Sequence, residues 1–354
     1  MRGAAPESVA SALESGDPLP GTAGFAGRLP DGRLVRDVLG RELCYYDDGE
    51  WSHDPEPLRN PTLLPAGHVY ESGETRRVWT LPDPAVDDER PVERVREAIG
   101  NALDDVDDDG LAVAFSGGVD SALVAAHLDA PLYVVGFDGS ADIDAARESA
   151  AAMGREDDLH VHEVTLSEIE DAVPEVSRAI GRTNAMDVQI ALPLYLVARR
   201  AAADGFDRLA LGQGADELFG GYAKVAKAPE DPRVAADTVR GARREVLATL
   251  PDQLERDVRA LRAAGVEPVT PLLHDDVVRA ALARSGEWLV SGDVRKRALR
   301  EAARAWLPNA VADREKKAVQ YGSLVAREVD RLARQAGFKR RMDDHVTKYV
   351  ESRR

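Results

Sequence analysis

Between residues 111 and 211 the chain alternates short apolar runs with stretches of helical period. Residues 111–115 and 132–137 are almost continuously apolar, the pattern of a parallel strand buried on both faces, and 160–164 and 208–211 are predicted as two further strands. The segments between them predict helices over 121–128, 142–153, 167–180 and 188–203. Such alternation predicts an α/β fold built on a doubly wound parallel sheet. After Tyr222 the pattern turns helical, with helices expected over 233–248, 252–264, 275–283, 294–306 and 324–335. Ahead of the alternating region lie a helix over 91–103, an acidic turn over 104–110 and a linker, Pro82-Asp83-Pro84-Ala85-Val86-Asp87-Asp88. Residues 1–85 are rich in Gly, Pro and Asp. Short β pieces are expected there over 33–38, 43–46 and 67–70, punctuated by the turn triplets Pro30-Asp31-Gly32 and Asp47-Asp48-Gly49. The organisation expected is a small β-rich region over 1–85, an α/β domain with a helical C-terminal half over 90–336, and a basic tail over 337–354 that frays. No internal repeat is visible.

One block stands out for its chemistry. Ser116-Gly117-Gly118-Val119-Asp120-Ser121 follows a buried strand and opens a helix. Two glycines let the backbone approach a ligand, the serine hydroxyls donate hydrogen bonds, and the helix N-terminus adds exposed N–H groups and a positive dipole end. Asp120 is out of place beside a polyphosphate unless it binds the accompanying Mg²⁺. A glycine turn capped by Asp and Ser explains single residues but not the whole block in its strand–loop–helix setting. A second glycine-rich stretch, Leu211-Gly212-Gln213-Gly214-Ala215-Asp216-Glu217-Leu218-Phe219-Gly220-Gly221-Tyr222, lies at the carboxyl end of a predicted parallel strand, where open α/β sheets bind ligands.

Composition narrows the classes. The chain carries 63 acidic against 46 basic residues, a net charge of −17, and only seven of the basic residues are Lys. Such a surface repels polyanions and argues against nucleic acid or an anionic membrane as partner. The acidic, Lys-poor, Ala-rich make-up resembles that of proteins from extreme halophiles. Cys44 is the only cysteine, so neither an internal disulfide nor a cysteine metal cluster can form. No apolar run is long enough to span a membrane and residues 1–20 lack a signal-peptide pattern, so a cytoplasmic location is expected.

The six-residue block resembles the pyrophosphate-binding loop of the N-type ATP pyrophosphatases, the adenine-nucleotide α-hydrolase-like enzymes that cleave ATP between its α and β phosphates. The second block resembles the SGEGADELFGGY signature of asparagine and β-lactam synthetases within that group. Val266-Glu267-Pro268-Val269-Thr270-Pro271-Leu272-Leu273-His274-Asp275 is similar to the asparagine synthetase family's E-x-R-x-P-F-L-D segment. Lys296, in Val294-Arg295-Lys296-Arg297-Ala298-Leu299-Arg300, matches a lysine before the family's L-R, and Arg314-Glu315-Lys316-Lys317 matches its R-x-K segment. The resemblance covers residues 111–322. It implies ATP and Mg²⁺ as cofactors, with Ser116, Gly117, Gly118, Asp120 and Ser121 holding the phosphates and Gly214 in the second loop close to the nucleotide. Asp120 and Asp216 would bind the metal, Val135 and Gly136 would hold the adenine through their backbone, and Lys296 would contact the β and γ phosphates. Lys316, Asp216 and Gln213 would be the catalytic residues. The activity implied is an AMP-forming amide ligase that activates a carboxylate, aspartate or an analogue, as acyl-AMP for attack by ammonia or an amine. Two rivals remain: an ATP-dependent enzyme that adenylates a tRNA base, and a nucleotide-binding regulator without turnover.

The N-terminal segment resembles part of the family's glutaminase domain. Residues 32–46, Gly32-Arg33-Leu34-Val35-Arg36-Asp37-Val38-Leu39-Gly40-Arg41-Glu42-Leu43-Cys44-Tyr45-Tyr46, are similar to its RDxLGxxPLYY stretch, and Leu64-Pro65-Ala66-Gly67-His68 to its L-P-P-G-H. Residue 2 is Arg, where the family's mature enzyme starts on a nucleophilic Cys, and Cys44 is expected to be a small buried hydrophobe. The region is therefore expected to be a truncated domain that does not hydrolyse glutamine alone, leaving the nitrogen to come from solution or from a separate glutaminase subunit. Two departures bear on the acceptor. Gln213 replaces a Glu of the signature and loses its charge and basicity. The family's Thr-Thr-x-Arg stretch is here Met186-Asp187-Val188-Gln189, which removes an Arg clamp and adds an Asp. Asp187 would either meet a positive group on the acceptor or cap the helix that follows.

Overall fold

Five parallel strands form a sheet in the order 159–163, 132–136, 111–114, 208–210, 267–269. The computed structural model describes residues 1–228, 230–315 and 319–354, divided between two compact units. The sheet belongs to the unit made of Leu103–Gly212, Arg256–Val269 and Ala303–Arg354. Its inner strands Leu111–Ala114 and Leu132–Gly136 are buried nearly throughout, as their apolar runs require, whereas the edge strands Leu159–Glu163 and Glu267–Val269 are half exposed. Alternate residues Ala112, Tyr133, Val135, Leu209 and Leu211 join one continuous core with the helices Leu166–Ile180, Ala185–Ala203 and Val325–Gln335. The helices Val119–His127 and Ala141–Met153 pack along Leu111–Ala114 and Leu132–Gly136. This is the α/β parallel-sheet fold that the alternation predicted. The strand Glu267–Val269 went unanticipated. It is three residues long and contains Pro268, which an edge strand tolerates because a ladder donor can be spared there.

The other unit comprises Met1–Ala102, Gln213–Glu255 and Thr270–Ala302. Here four antiparallel strands run in the order 26–28, 34–36, 68–71, 74–77, and three more in the order 50–52, 45–47, 62–63. The expected turn at Asp48-Gly49 closes the hairpin that pairs Tyr46 with Trp51, both turn residues having positive φ (43° and 88°). Cys44 is fully buried beside Ala26, Leu34 and Leu64, and burial pushes its thiol up to about 12, so it is the inert packing residue expected. Arg36 is buried without a carboxylate partner; its guanidinium donates to the carbonyls of Glu42 (2.7 Å), Leu64 (3.0 Å) and Gly40 (2.7 Å).

Several local expectations change. The helix Pro6–Ser15 occupies a region read as β-rich, though it carries a proline at its start and a left-handed Gly16 at its end. Residues 82–88 have no helix or strand, yet they are strapped down: Arg240 donates to Pro84 O (2.9 Å) and pairs with Asp83 (3.2 Å), and Asp87 N donates to Ala283 O (2.9 Å). The helix expected from residue 233 begins at Val239, where the Thr238 hydroxyl caps it by accepting from Gly241 N (3.1 Å). The helix expected over 294–306 is a two-stranded hairpin, Val290–Ser291 with Val294–Arg295, followed by the helix Arg297–Ala303. The tail does not fray over its length: the helix His345–Arg353 buries Val346, Tyr349 and Val350 in the main core. No helix among the described residues is long and apolar enough to cross a membrane.

Candidate functional site

The sheet order puts its first strand in the middle. From Leu111–Ala114 the chain winds outward through Leu132–Gly136 to Leu159–Glu163, then returns across to Arg208–Ala210 and Glu267–Val269. The strands 111–114 and 208–210 therefore flank the point where the winding reverses, and a crevice opens past the carboxyl ends of such a pair. Both glycine-rich blocks leave the sheet there.

The 116–121 loop is held tightly. Gly117 has φ +73°, and a Cβ on it would overlap the Ala145 carbonyl and come within 2.6 Å of the Ala146 nitrogen, so only glycine lets the loop lie on the helix Ala141–Met153. The Ser149 hydroxyl donates to Gly117 O at 2.7 Å. The Ser121 hydroxyl accepts from Ser116 N and lies near the Ser116 hydroxyl, each at 3.2 Å. Among the described residues no side chain caps the helix Val119–His127, and a helix start of this kind is a suitable seat for an anion. At the neighbouring strand end, a Cβ on Gly212 would come within 2.6 Å of the Asp120 carbonyl carbon, so the second block starts in direct contact with the first. Val135 is buried in the core by its side chain, but Phe115 N donates to Tyr133 O (2.7 Å) and Val164 N to Gly136 O (2.9 Å). The alternation of a parallel ladder then turns the Val135 backbone groups toward the side where the 116–121 loop leaves the sheet.

In the other unit, Gly214 (φ +95°) starts the short helix Ala215–Phe219, and a Cβ there would sit 2.5 Å from Leu273 Cγ. Asp216 and Lys296 form an ion pair at 2.7 Å, the lysine side chain 9% exposed and the carboxylate 44%. Lys296 has φ +57° at the junction between the hairpin and the helix Arg297–Ala303, a left-handed conformation that costs a lysine about 1–2 kcal/mol and persists only where the surroundings impose it. Gly221 completes the enclosure: a Cβ there would overlap Asp216 Oδ1 and Lys296 Cε. The Arg295 guanidinium donates to Gly221 O at 2.8 Å. Beside them Glu217 is buried. Desolvation first, and then the negative charge of Asp216, push its carboxyl up to about 7, although the Tyr222 hydroxyl donates to it at 2.5 Å.

The structure thus gathers Ser116, Gly117, Gly118, Asp120 and Ser121 on one loop, and Gln213, Gly214, Asp216 and Lys296 in the other unit. Gln213 is half-buried where the strand's exit meets the short helix. Lys316 lies outside the described residues, while Arg314 of the same segment pairs with Glu148 at 2.8 Å. Asp187 has its geometry settled. Asn184 is the cap of the helix Ala185–Ala203, accepting from Asp187 N (3.0 Å) and donating to Asp187 Oδ2 (2.7 Å). Arg182 (3.2 Å) and the buried Arg256 (3.0 Å) also bind the Asp187 carboxylate. Burial raises its pKa, but the hydrogen bonds from Asn184 and Arg256 and the two positive charges outweigh that and hold it below the usual carboxylate range. The cap is thus Asn184, passed over in the sequence in favour of Asp187, although Asn is a favoured N-cap residue. Arg256, 69 residues further on, carried no signal near it.

Oxygen donors such as Asp120 and Asp216 suit Mg²⁺, which takes one or two carboxylates and completes its shell with phosphate oxygens and water. Among the described residues no group of three or more His, Cys, Asp or Glu side chains converges as a metal site.

The model of the asparagine synthase family matches residues 93–242 and 227–351. The chain belongs to the asparagine synthase family. A Methanocaldococcus jannaschii protein named as a glutamine-hydrolyzing asparagine synthetase is 30% identical over 275 residues, 67% of this chain and 50% of that protein. The glutamine-hydrolyzing asparagine synthetase B of Escherichia coli is 29% identical over 285 residues, 72% of this chain and 50% of its own length. Asparagine synthetase 2 of Arabidopsis thaliana is 28% identical over 292 residues, 72% and 48% of the two chains. The chain spans about half the length of the curated relatives it matches.

Proposed function

We propose that this chain is an AMP-forming carbon–nitrogen ligase that activates a carboxylate with ATP and passes the acyl group to ammonia or an amine. The observation that carries this reading is the 116–121 loop at the switch point of the sheet, wedged by Gly117 against the helix Ala141–Met153 and opening the helix Val119–His127. Membership of the asparagine synthase family supports the same chemistry.

The phosphates of ATP lie on the N–H groups at the start of the helix Val119–His127, and the Val135 backbone receives the adenine, since the Gly136 carbonyl already accepts from Val164 N on the far side of the strand. Lys296 meets the β and γ phosphates; its partner Asp216 holds it in place in the free enzyme. Asp120 and Asp216 would be the carboxylates for Mg²⁺, which would supply charge neutralisation on the phosphates. A carboxylate oxygen of the acceptor attacks the α-phosphorus, with the positive charge of Lys316 stabilising the transition state. The bond from the α-phosphorus to the bridging oxygen breaks, and pyrophosphate leaves. The amine lone pair then adds to the acyl carbon, AMP departs as the carbonyl re-forms, and a proton leaves the nitrogen. Gln213 orients this step by hydrogen bonding, and AMP or water takes the proton because an amide is no base.

Both Asp187 oxygens are already held by Arg182, Arg256 and Asn184, which favours an aspartate-like acceptor over one that brings a cation to Asp187. Cys44, buried with its thiol pushed up to about 12, does not serve as a glutaminase nucleophile, and ammonia or an amine is the nitrogen source in this reading. The test is release of AMP and pyrophosphate from Mg·ATP with aspartate and ammonia present, each then withheld. Release that requires the carboxylate, with amide formed only when ammonia is present, supports the reading. ADP formation, or AMP release indifferent to every carboxylate supplied, refutes it.

A further inference from the structure

A buried polar hub lies in the unit that carries the signature loop. The Arg41 side chain is 2% exposed, and those of Asp37 and Asp275 are 0%. Arg41 Nε donates to Asp37 Oδ1 at 2.8 Å, while Nη1 donates to Asp275 Oδ1 at 2.8 Å and to the Leu273 carbonyl at 2.7 Å. Thr22 closes the ring: its N–H donates to Asp275 Oδ2 at 2.8 Å, and its carbonyl accepts from Asp275 N at 2.9 Å. Burial works against the charge of Arg41, but Asp37 and Asp275 outweigh it and hold the guanidinium pKa above its ordinary value. The residue gripped by its main chain, Leu273, is the one whose side chain fills the space beside Gly214, with Cγ 2.5 Å from where a Cβ at 214 would be.

From this chain of contacts we infer that Arg41 is a positioning residue for the 213–217 loop, acting through Leu273 from 172 residues away in sequence. The residues 1–102 then do more than accompany the ligase: they set the floor on which Gly214, and after it Asp216, is seated. Three features of the hub suit that task. The guanidinium fork holds two carboxylates and a carbonyl in fixed directions, which an ammonium cannot do. The links of Arg41 to Asp37, Asp275 and Leu273 are buried, so they are short of competing water, while those to Thr22 are part-buried. Leu273 is fixed by its backbone carbonyl, so its side chain cannot retreat independently from Gly214. The positioning itself is a statement about the free protein; its catalytic consequence rests on the ligase reading above.

The test uses the full chain and three variants: Arg41→Met, Arg41→Lys, which keeps the charge and guards against loss of folding, and Leu273→Ala, which strands no buried charge. Hydrogen–deuterium exchange of the free protein is followed at residues 213–221, where the Leu218 and Gly221 amides are bonded to Gly214 O and Asp216 O. Exchange there is expected to rise about tenfold in all three variants, a loss of about 1.4 kcal/mol of local protection, with the 34–36 and 68–71 strands unchanged. In the AMP-release assay kcat falls about tenfold and KM for ATP stays within about twofold, because the loop that carries the phosphates is not disturbed. Unaltered exchange at 213–221 overturns the inference, and so does an increase spread evenly over the unit. Selective exchange in a protein whose wild type releases no AMP from any carboxylate would uphold the positioning while refuting the ligase reading.

Discussion

Gly117→Ala tests the reasoning about the 116–121 loop most directly. Two penalties add. Alanine at φ +73° pays about 1–2 kcal/mol for the left-handed conformation. The new methyl overlaps the Ala145 carbonyl and lies 2.6 Å from the Ala146 nitrogen, atoms of a helix backbone that cannot rotate away, and such overpacking costs about 1–3 kcal/mol more. The sum is about 2–5 kcal/mol. Gly154→Ala is the matched control: Gly154 ends the same helix at φ +67° with nothing within 4 Å, so it carries the conformational term alone, about 1–2 kcal/mol. Urea unfolding of both variants isolates the close approach as their difference. Relief of the overlap moves the loop by roughly 1 Å from the Ala145 backbone, and a displacement of that size at a reacting centre lowers turnover about 100-fold. AMP release from Gly117→Ala should fall by that order, while Gly154→Ala stays near wild type. If the two variants are equally stable and equally active, the loop is not wedged as described and the phosphate cradle loses its structural basis.

Other outcomes follow from named contacts. Lys296→Met removes the partner of Asp216 and the charge offered to the phosphates, and AMP release should fall about 100–1,000-fold with the unfolding midpoint little changed. Lys316→Ala should abolish pyrophosphate release while leaving the far-ultraviolet circular dichroism spectrum intact. Asp187→Asn should destabilise the protein at pH 7 by about 1 kcal/mol, the modest figure reflecting a partly solvated carboxylate. Because that carboxyl is held below its ordinary 3.8, the advantage of the wild type is fully present above that value and is lost as pH falls through the depressed pKa. Denaturant unfolding of both proteins over that range should therefore converge in acid. Cys44, its thiol pushed up to about 12, should resist iodoacetamide at neutral pH in the folded protein and react once urea has unfolded it.

What could be read ahead of the structure follows from the range of the forces involved. The inner strands 111–114 and 132–136 were visible because burial on both faces leaves an unbroken apolar signature. The 116–121 loop was visible because its glycines, hydroxyls and helix start are contiguous. The hairpin 290–295 was not, since its strands are two residues each and Gly292 and Lys296 take positive φ values that no hydrophobic period encodes. The helix at the C-terminal end was hidden by its basic flanks, although Val346, Tyr349 and Val350 carry the apolar spacing that buries it. The partners of site residues were the least legible. Nothing local to Asp216 names Lys296, nothing near Asp187 names Arg256, and nothing around Gly214 points back to Arg41.

The unit that contains Arg41 is sewn from three stretches, Met1–Ala102, Gln213–Glu255 and Thr270–Ala302. During synthesis the first of these emerges more than a hundred residues before the second, and Arg41 waits 234 residues for Asp275. Until then a fully charged guanidinium and the apolar sides of the small sheets have no lasting cover, so that unit cannot finish folding as it leaves the ribosome. The sheet unit is no quicker, because it closes only with Ala303–Arg354. Maturation therefore comes as one late event. Truncations from either end should yield chaperone-bound or degraded chains, and because the stretches interleave, a gene cut once between Gly212 and Gln213 should not return two soluble halves.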